Sequence, residues 1–120
     1  MGKRIAAVLG SAALLATPLL AGSASAAPSG ANWVCGAPWT ASRAEGHASI
    51  QYCEGRRVLV ALVTDDRADG RCPRLSGYLY HNGYYVNSGG VGPKGATRYV
   101  EIFAPSGDYF YTAGLSWESC

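Results

Sequence analysis

Beyond its N-terminal region the sequence contains no second long hydrophobic run, so membrane attachment could involve only that one segment. Two basic residues, "KR", precede an apolar stretch from Ile5 to about Leu20, and small residues follow at Ala24-Ser25-Ala26. This order of basic, apolar and small residues is typical of a secretory signal peptide. The apolar run is also short for a membrane span, which needs about 20 residues.

We therefore predict that residues 1–26 are a secretory signal peptide. Residues 27–120 are expected to form the mature protein, one disulfide-stabilised β domain, because a chain of this size has no room for a second domain. The mature protein is expected to be secreted and extracellular. It is also expected to be a monomer with no membrane association after the leader is cleaved.

The mature chain has no excess of either charge. The full sequence holds ten Lys and Arg residues against eight Asp and Glu residues, and Lys3 and Arg4 leave with the leader. Equal numbers of basic and acidic residues remain. A nucleic-acid partner is not expected, because proteins that bind nucleic acid carry a clustered basic surface.

Closely spaced cysteine pairs are absent, which disfavours a zinc site, because such sites prefer patterns such as C-x-x-C. The four cysteines are Cys35, Cys53, Cys72 and Cys120. An even number in a small secreted domain is typical of two disulfides. Of the three pairings that four cysteines permit, we expect Cys35 with Cys53 and Cys72 with Cys120. No metal and no cofactor is expected.

Catalytic motifs are missing as well. No serine lies in a G-x-S-x-G motif, and the mature chain has two histidines, His47 and His81. His81 stands beside the tip of a predicted hairpin, where a general base would be difficult to desolvate. We therefore predict a non-enzymatic protein with no catalytic residues.

A sustained helical period with start and stop signals is absent, whereas strand patterns recur from about residue 47 onward. The segment "RRVLVALVT" (56–64) is a nearly continuous aliphatic run, as expected of a strand covered on both faces. Five to six short strands separated by turns predict an all-β fold, either a small antiparallel sandwich or a Greek-key barrel. The segment 31–46 before the first clear strand is predicted to be irregular.

That irregular segment supplies the first set of candidate binding residues. Trp33, two residues before Cys35, is predicted to cover the core. Trp39 could equally be a lid over the core or an exposed anchor. Because Trp and Arg are favoured in binding hot spots, Trp39 and Arg43 are candidate anchors of a protein-binding or enzyme-inhibitory module.

The stretch "CEGRRVLVALVTDDRADGRC" (53–72) combines a cysteine, a β-run, an acidic turn ending in Gly and the next cysteine. With the leader, the chain length and the cysteine spacing, it resembles the small secreted actinobacterial α-amylase inhibitors of the tendamistat type. The resemblance implies a six-stranded Greek-key sandwich, sequential disulfides and a glycosidase as the target. That family presents a Trp-Arg-Tyr triplet in its first disulfide loop, where this chain has Trp39 and Arg43 apart.

The stretch "YLYHNGYYV" (78–86) supplies the second set of candidate binding residues. Asn82-Gly83 is predicted to form a two-residue hairpin turn. Alternation then places Tyr78, Tyr80 and Tyr85 on one face, which points outward if the aliphatic residues of the other face point to the core. Exposed rings can stack on sugars, so a glycan- or cell-wall-binding module is the alternative function. In the third interpretation, the tyrosines only occupy strand positions, which aromatic residues favour. The chain would then be an exported protein without chemistry of its own.

Overall fold

A computed structural model describes residues 32–120 of the protein, and every regular element in this range is a β-strand. The predicted signal peptide, residues 1–26, lies outside the described residues. The strands are β1 Trp39–Ser42, β2 Gly46–Cys53, β3 Val58–Asp65, β4 Arg71–Leu79, β5 Tyr85–Asn87, β6 Thr97–Phe103 and β7 Phe110–Ser119.

The strands form two antiparallel sheets. The first sheet has the order β1-β2-β3-β6 and the second has the order β5-β4-β7. The chain passes from one sheet to the other between β3 and β4, between β5 and β6, and between β6 and β7. The predicted all-β antiparallel fold is confirmed, with seven strands rather than five or six.

Strand β1 lies in the segment that was predicted to be irregular, so that prediction is wrong for residues 39–42. Trp39 pairs with Ile50 of β2, and the pairing continues to Ser42 opposite His47. The reason is a short alternation: Trp39 and Ala41 pack against the core, whereas the residues between and after them are exposed. Four residues suffice for an edge strand when one neighbouring strand is already in place.

The core lies between the two sheets. Leu59, Ala61 and Val63 of β3 are buried on its inner face, in one cluster with Leu75 and Phe110 of the second sheet. At about 25 cal/mol for each Å² of apolar surface removed from water, this cluster is the main favourable contribution to folding.

The outer face of β3 is covered as well, which explains why its sequence does not alternate. Val58 and Val60 are buried there beneath Trp33 and Tyr99. The Trp33 ring donates a hydrogen bond from Nε1 to Glu101 Oε2 at 2.9 Å, which fixes the ring over the valines. Trp33 therefore covers buried residues, but these lie on the outer side of the first sheet. The predicted position over the core between the sheets is wrong.

Both predicted disulfides are present. Cys35–Cys53 ties the segment before β1 to the end of β2, and Cys72–Cys120 ties the start of β4 to the C-terminal residue. The second bridge closes the longer loop, with a sequence separation of 48 against 18 for the first. In the chain-entropy account, a longer closed loop restricts the unfolded chain more and stabilises the fold more.

Replacing Cys72 and Cys120 together by alanine is expected to lower the free energy of unfolding by about 4 kcal/mol, against about 3 kcal/mol for the Cys35 and Cys53 pair. Urea titration followed by tryptophan fluorescence measures both values. Equal losses, or a larger loss for the shorter loop, would contradict the entropic account.

Candidate binding surface on the second sheet

The β4–β5 hairpin has a four-residue loop, Tyr80 to Gly83, and not the predicted two-residue turn. Tyr78 pairs with Tyr85, and the Leu79 N–H donates to the Tyr84 carbonyl at 3.0 Å. The predicted turn would have paired His81 with Tyr84, so the observed register differs from the predicted one by two positions. Gly83 has φ 69°, a conformation that glycine adopts without steric cost.

Asp108, which precedes β7, determines this loop. Its carboxylate accepts hydrogen bonds from the backbone N–H of His81 at 2.8 Å and of Asn82 at 3.0 Å. It also accepts one from Asn82 Nδ2 at 2.7 Å and one from the Tyr109 N–H at 2.8 Å. A buried carboxylate that accepts several N–H groups is a strong, charge-assisted cap. A tight turn at Asn82-Gly83 would give up these contacts.

The charge of Asp108 is stabilised by those contacts. The residue is 3% exposed, and burial alone would raise the pKa of its carboxyl. The hydrogen bonds from His81, Tyr109 and Asn82 outweigh burial and lower the pKa to about 2. Asp108 is therefore ionised at neutral pH and holds the hairpin loop against the start of β7.

The tyrosines of the hairpin strands point outward, as predicted. Leu79 is fully buried, Val86 packs against the core, and Tyr85 is 62% exposed. The rings of Tyr78 and Tyr85 meet edge to face with centroids 5.0 Å apart, a favourable arrangement for aromatic pairs.

Tyr80 leaves the face that it was predicted to share with Tyr78 and Tyr85, because it lies in the four-residue loop. Its ring stacks on Tyr109 at 4.9 Å and lies 5.7 Å from Tyr111. Tyr111 is the extra residue at a register shift between β4 and β7, where Tyr78 pairs with Thr112 and Leu79 with Phe110. Such a bulge re-aims a side chain, and here it brings Tyr111 beside Tyr80.

The result is two aromatic groups at one end of the second sheet, Tyr78 with Tyr85 and Tyr80 with Tyr109 and Tyr111. We call the two groups together the tyrosine surface. Tyr80, Tyr85 and Tyr111 are each more than half exposed. Tyr84 is opposite Leu79 across the hairpin and belongs to the other side.

A shallow open groove adjoins the tyrosine surface on the outer face of the same sheet. Its volume is about 450 Å³. We call it the polar groove; it is lined by Arg43, Arg74, Ser76, Tyr85, Asn87, Thr112, Ala113, Gly114, Leu115 and Ser116. Pairing across β5, β4 and β7 puts Asn87, Ser76 and Gly114 side by side in its floor.

Hydrogen bonds fix the polar side chains of the groove. Ser76 Oγ lies 2.5 Å from Asn87 Oδ1 and 2.5 Å from Ser116 Oγ. Arg74 donates from Nε to Ser116 Oγ at 2.9 Å and from Nη1 to Glu118 Oε1 at 3.3 Å. The groove is therefore a connected polar network rather than a set of freely moving side chains.

The structure separates the two residues that were expected to act together in the first disulfide loop. Trp39 faces inward and packs on Tyr52, with ring centroids 6.1 Å apart, and against the core. Arg43 lies beyond the end of β1, where its Nε is 3.0 Å from Glu45 Oε1. Of the predicted binding residues, the polar groove brings Arg43 and Tyr85 together and leaves Trp39 outside.

Sequence reasoning missed Arg74, Ser76, Asn87 and Ser116. Arg74, Ser76 and Tyr78 alternate along β4 with Leu75, Gly77 and Leu79 of the inner face, and Ser76 is itself largely buried. The period-two pattern could therefore have placed the three residues on one face. Ser116 could not be placed with them, because the pairing of β7 with β4 is not readable from local sequence.

The described residues hold little that suits a metal ion. Asp65, Cys72 and Cys120 lie close enough together to share one, but both cysteines are in a disulfide and their sulfur atoms are not available as thiolate ligands. In the same range, residues 32–120, no helix is long and apolar enough to cross a membrane.

Comparison with known proteins adds nothing to this description, because no family model, curated protein or solved structure matches the chain. The resemblance to tendamistat-type inhibitors therefore stays a prediction.

The substitution Asp108→Asn is expected to destabilise the protein at neutral pH, because the amide would present N–H groups to the loop N–H donors. The folded-state pKa of about 2 is below the ordinary value of 3.8. The carboxylate therefore stabilises the fold above about pH 4, and this contribution is lost as the pH falls through about 2. Urea midpoints of the variant and the wild type should differ at pH 7 and converge towards pH 2.

Asp66→Asn is the matched control, because Asp66 is an exposed aspartate outside the hairpin, paired with an exposed His47. Its midpoint should stay close to that of the wild type at pH 7. If the urea midpoints of Asp108→Asn and the wild type differed by the same amount at pH 7 and at pH 2, this result would contradict the assigned role.

Proposed function

We propose that the protein is a secreted, non-enzymatic binding module that recognises an extracellular macromolecule through the outer face of its second sheet. The observation that carries the proposal is the juxtaposition of the exposed Tyr85 ring, supported by Tyr78, with a connected polar groove on that face. Tyrosine with Ser, Gly and Asn is the composition of adaptable recognition surfaces, in which the rings supply rigid contact area and the small polar residues supply hydrogen bonds.

The surface is held in place before any ligand arrives. Asp108 fixes the loop that carries Tyr80, and Cys72–Cys120 holds the ends of β4 and β7 together. A side chain that is already ordered loses little entropy on binding, so more of the contact energy is expressed as affinity.

A non-enzymatic role agrees with the position of the remaining candidate for general-base chemistry. His47 Nδ1 is 2.8 Å from Asp66 Oδ2, and both side chains are about half exposed. His47 is in β2 and Asp66 follows β3, and neither residue lines the polar groove. A half-exposed pair of this kind is a poor position for a general base, which must lie within hydrogen-bond reach of a bound substrate.

A protein ligand, including an inhibited enzyme such as a glycosidase, is one candidate. For a protein ligand, the candidate anchors become Arg43 and Tyr85 in place of Trp39 and Arg43. Trp39 packs inward, whereas Arg43 lies at the polar groove with Tyr85. Arg and Tyr are both enriched among hot-spot residues. A polysaccharide ligand is the second candidate, and exposed rings beside hydroxyl and amide groups favour it.

The test measures binding of the wild-type protein to two panels: extracellular amylases and proteases, and insoluble polysaccharides. Tyr85→Ala and Tyr111→Ala are expected to weaken binding to any retained ligand about tenfold or more. Phe103→Ala is the matched control, because Phe103 is a half-exposed aromatic residue on the first sheet, and it should bind as the wild type does. No binding to either panel at micromolar concentration would overturn the proposal.

A further inference from the structure

We infer that the ligand is an uncharged polysaccharide, and that one of its sugar units lies in the polar groove over Gly114 while a neighbouring unit contacts Tyr85. This inference rests on the proposed function and specifies its ligand class. It is carried by the shape of the groove, its hydrogen-bonding groups and its charge balance.

The shape of the groove suits a ring that lies flat on the sheet. Gly114 lies in the floor between Thr112 and Ser116, and a Cβ atom built at this residue meets no other atom within 4 Å. The open space over Gly114 lets a ligand reach the β7 backbone. Because the groove is shallow and open, it can accept an internal unit of a polymer as well as a chain end.

The hydrogen-bonding groups match hydroxyls, which both donate and accept. Ser76 and Ser116 bond to one another, and Asn87 uses Oδ1 to bond Ser76. Asn87 Nδ2 makes no hydrogen bond within residues 32–120 and is therefore free to donate to a ligand, on a side chain whose orientation is already fixed. A guanidinium has five N–H donors, so Arg74 keeps donors beyond the two that it gives to Ser116 and Glu118.

The charge balance favours an uncharged ligand. Both arginines of the groove have carboxylate partners: Arg74 lies 3.3 Å from Glu118, and Arg43 lies 3.0 Å from Glu45, a carboxylate that also pairs with Arg71 at 3.5 Å. An acidic polymer would have to compete with these carboxylates for the guanidinium groups, and Glu118 would repel it. The arginines therefore act here as planar hydrogen-bond donors rather than as an anion site.

Tyr85 completes the site at one end of the groove. Its ring is 62% exposed and is supported edge to face by Tyr78. The face of an aromatic ring carries partial negative charge and attracts the polarised C–H groups of a sugar. A flat, apolar ring beside fixed amide, hydroxyl and guanidinium groups is complementary to the two kinds of surface that a sugar presents.

A protein ligand fits the groove less well. A specific protein interface buries about 800 Å² on each partner and has an apolar core from which charged residues are depleted. Here the centre of the face consists of Ser76, Gly114 and Ser116 beside the Arg74–Glu118 pair. Burying that network under an apolar partner surface would remove its access to water without supplying new partners.

The experiment measures depletion of the full-length secreted protein from solution by cellulose, chitin, starch, xylan and a β-1,3-glucan, with pectin as the acidic comparison. Gly114→Val should obstruct the groove with little effect on the fold, because a Cβ atom at this residue meets no atom within 4 Å and valine favours strands. It is expected to weaken binding to the retained neutral polymer about tenfold or more, and Asn87→Ala should weaken it severalfold.

Gly89→Val is the matched control, because Gly89 also has open space around its Cβ position but lies outside the groove. It should bind as the wild type does, and all three variants should melt close to the wild type. Failure of every neutral polymer to bind, preference for pectin, or unchanged binding by Gly114→Val would each overturn the inference.

The two proposals fail in different ways. If no polysaccharide binds but a protein of the first panel does, and Tyr85→Ala weakens that binding, the polysaccharide inference is wrong and the binding module stands. If neither panel is bound, both are wrong.

Discussion

The proposed binding face depends on one interaction, the capping of the β4–β5 loop by the Asp108 carboxylate. Asp108 is distant in sequence from the loop, yet it satisfies the N–H groups of His81 and Asn82 and is itself fixed by the N–H of Tyr109. Because the same carboxylate contacts both segments, it sets how the hairpin lies against β7. The stacking of Tyr80 on Tyr109 follows from that placement.

The rest of the fold supplies a rigid support for this face. The inner side of the second sheet is sealed by the core around Phe110 and Leu75, so its outer side can carry polar and aromatic residues without loss of stability. The bridge between Cys72 and Cys120 joins β4 to the chain end beside β7. In a domain of this size, which can bury only a modest apolar surface, such a bridge prevents fraying of the strand that contributes Thr112, Gly114 and Ser116 to the groove.

Apart from β1, the local sequence pattern correctly predicted which segments form strands and which residues of the hairpin strands point inward. The aliphatic run of β3 indicated a strand covered on both sides, and alternation in the hairpin indicated that Leu79 points inward and Tyr85 outward. The turn itself was mispredicted, because the preference of Asn82-Gly83 for a tight turn is overridden by the distant Asp108. The polar groove could not be predicted, because it forms only when β7 pairs with β4. That pairing joins strands that are distant in sequence and cannot be inferred from the residues of either strand alone.

The central claim is that ligand is recognised on the outer face of the second sheet. The most direct measurement is the change in backbone amide chemical shifts of isotope-labelled protein during titration with a neutral oligosaccharide cut from the polymer that retains it. The account predicts that the shifts concentrate at Asn87, Gly114 and Ser116 and at the neighbouring Tyr85. Shifts concentrated on the first sheet, around Trp33 and Phe103, would contradict it.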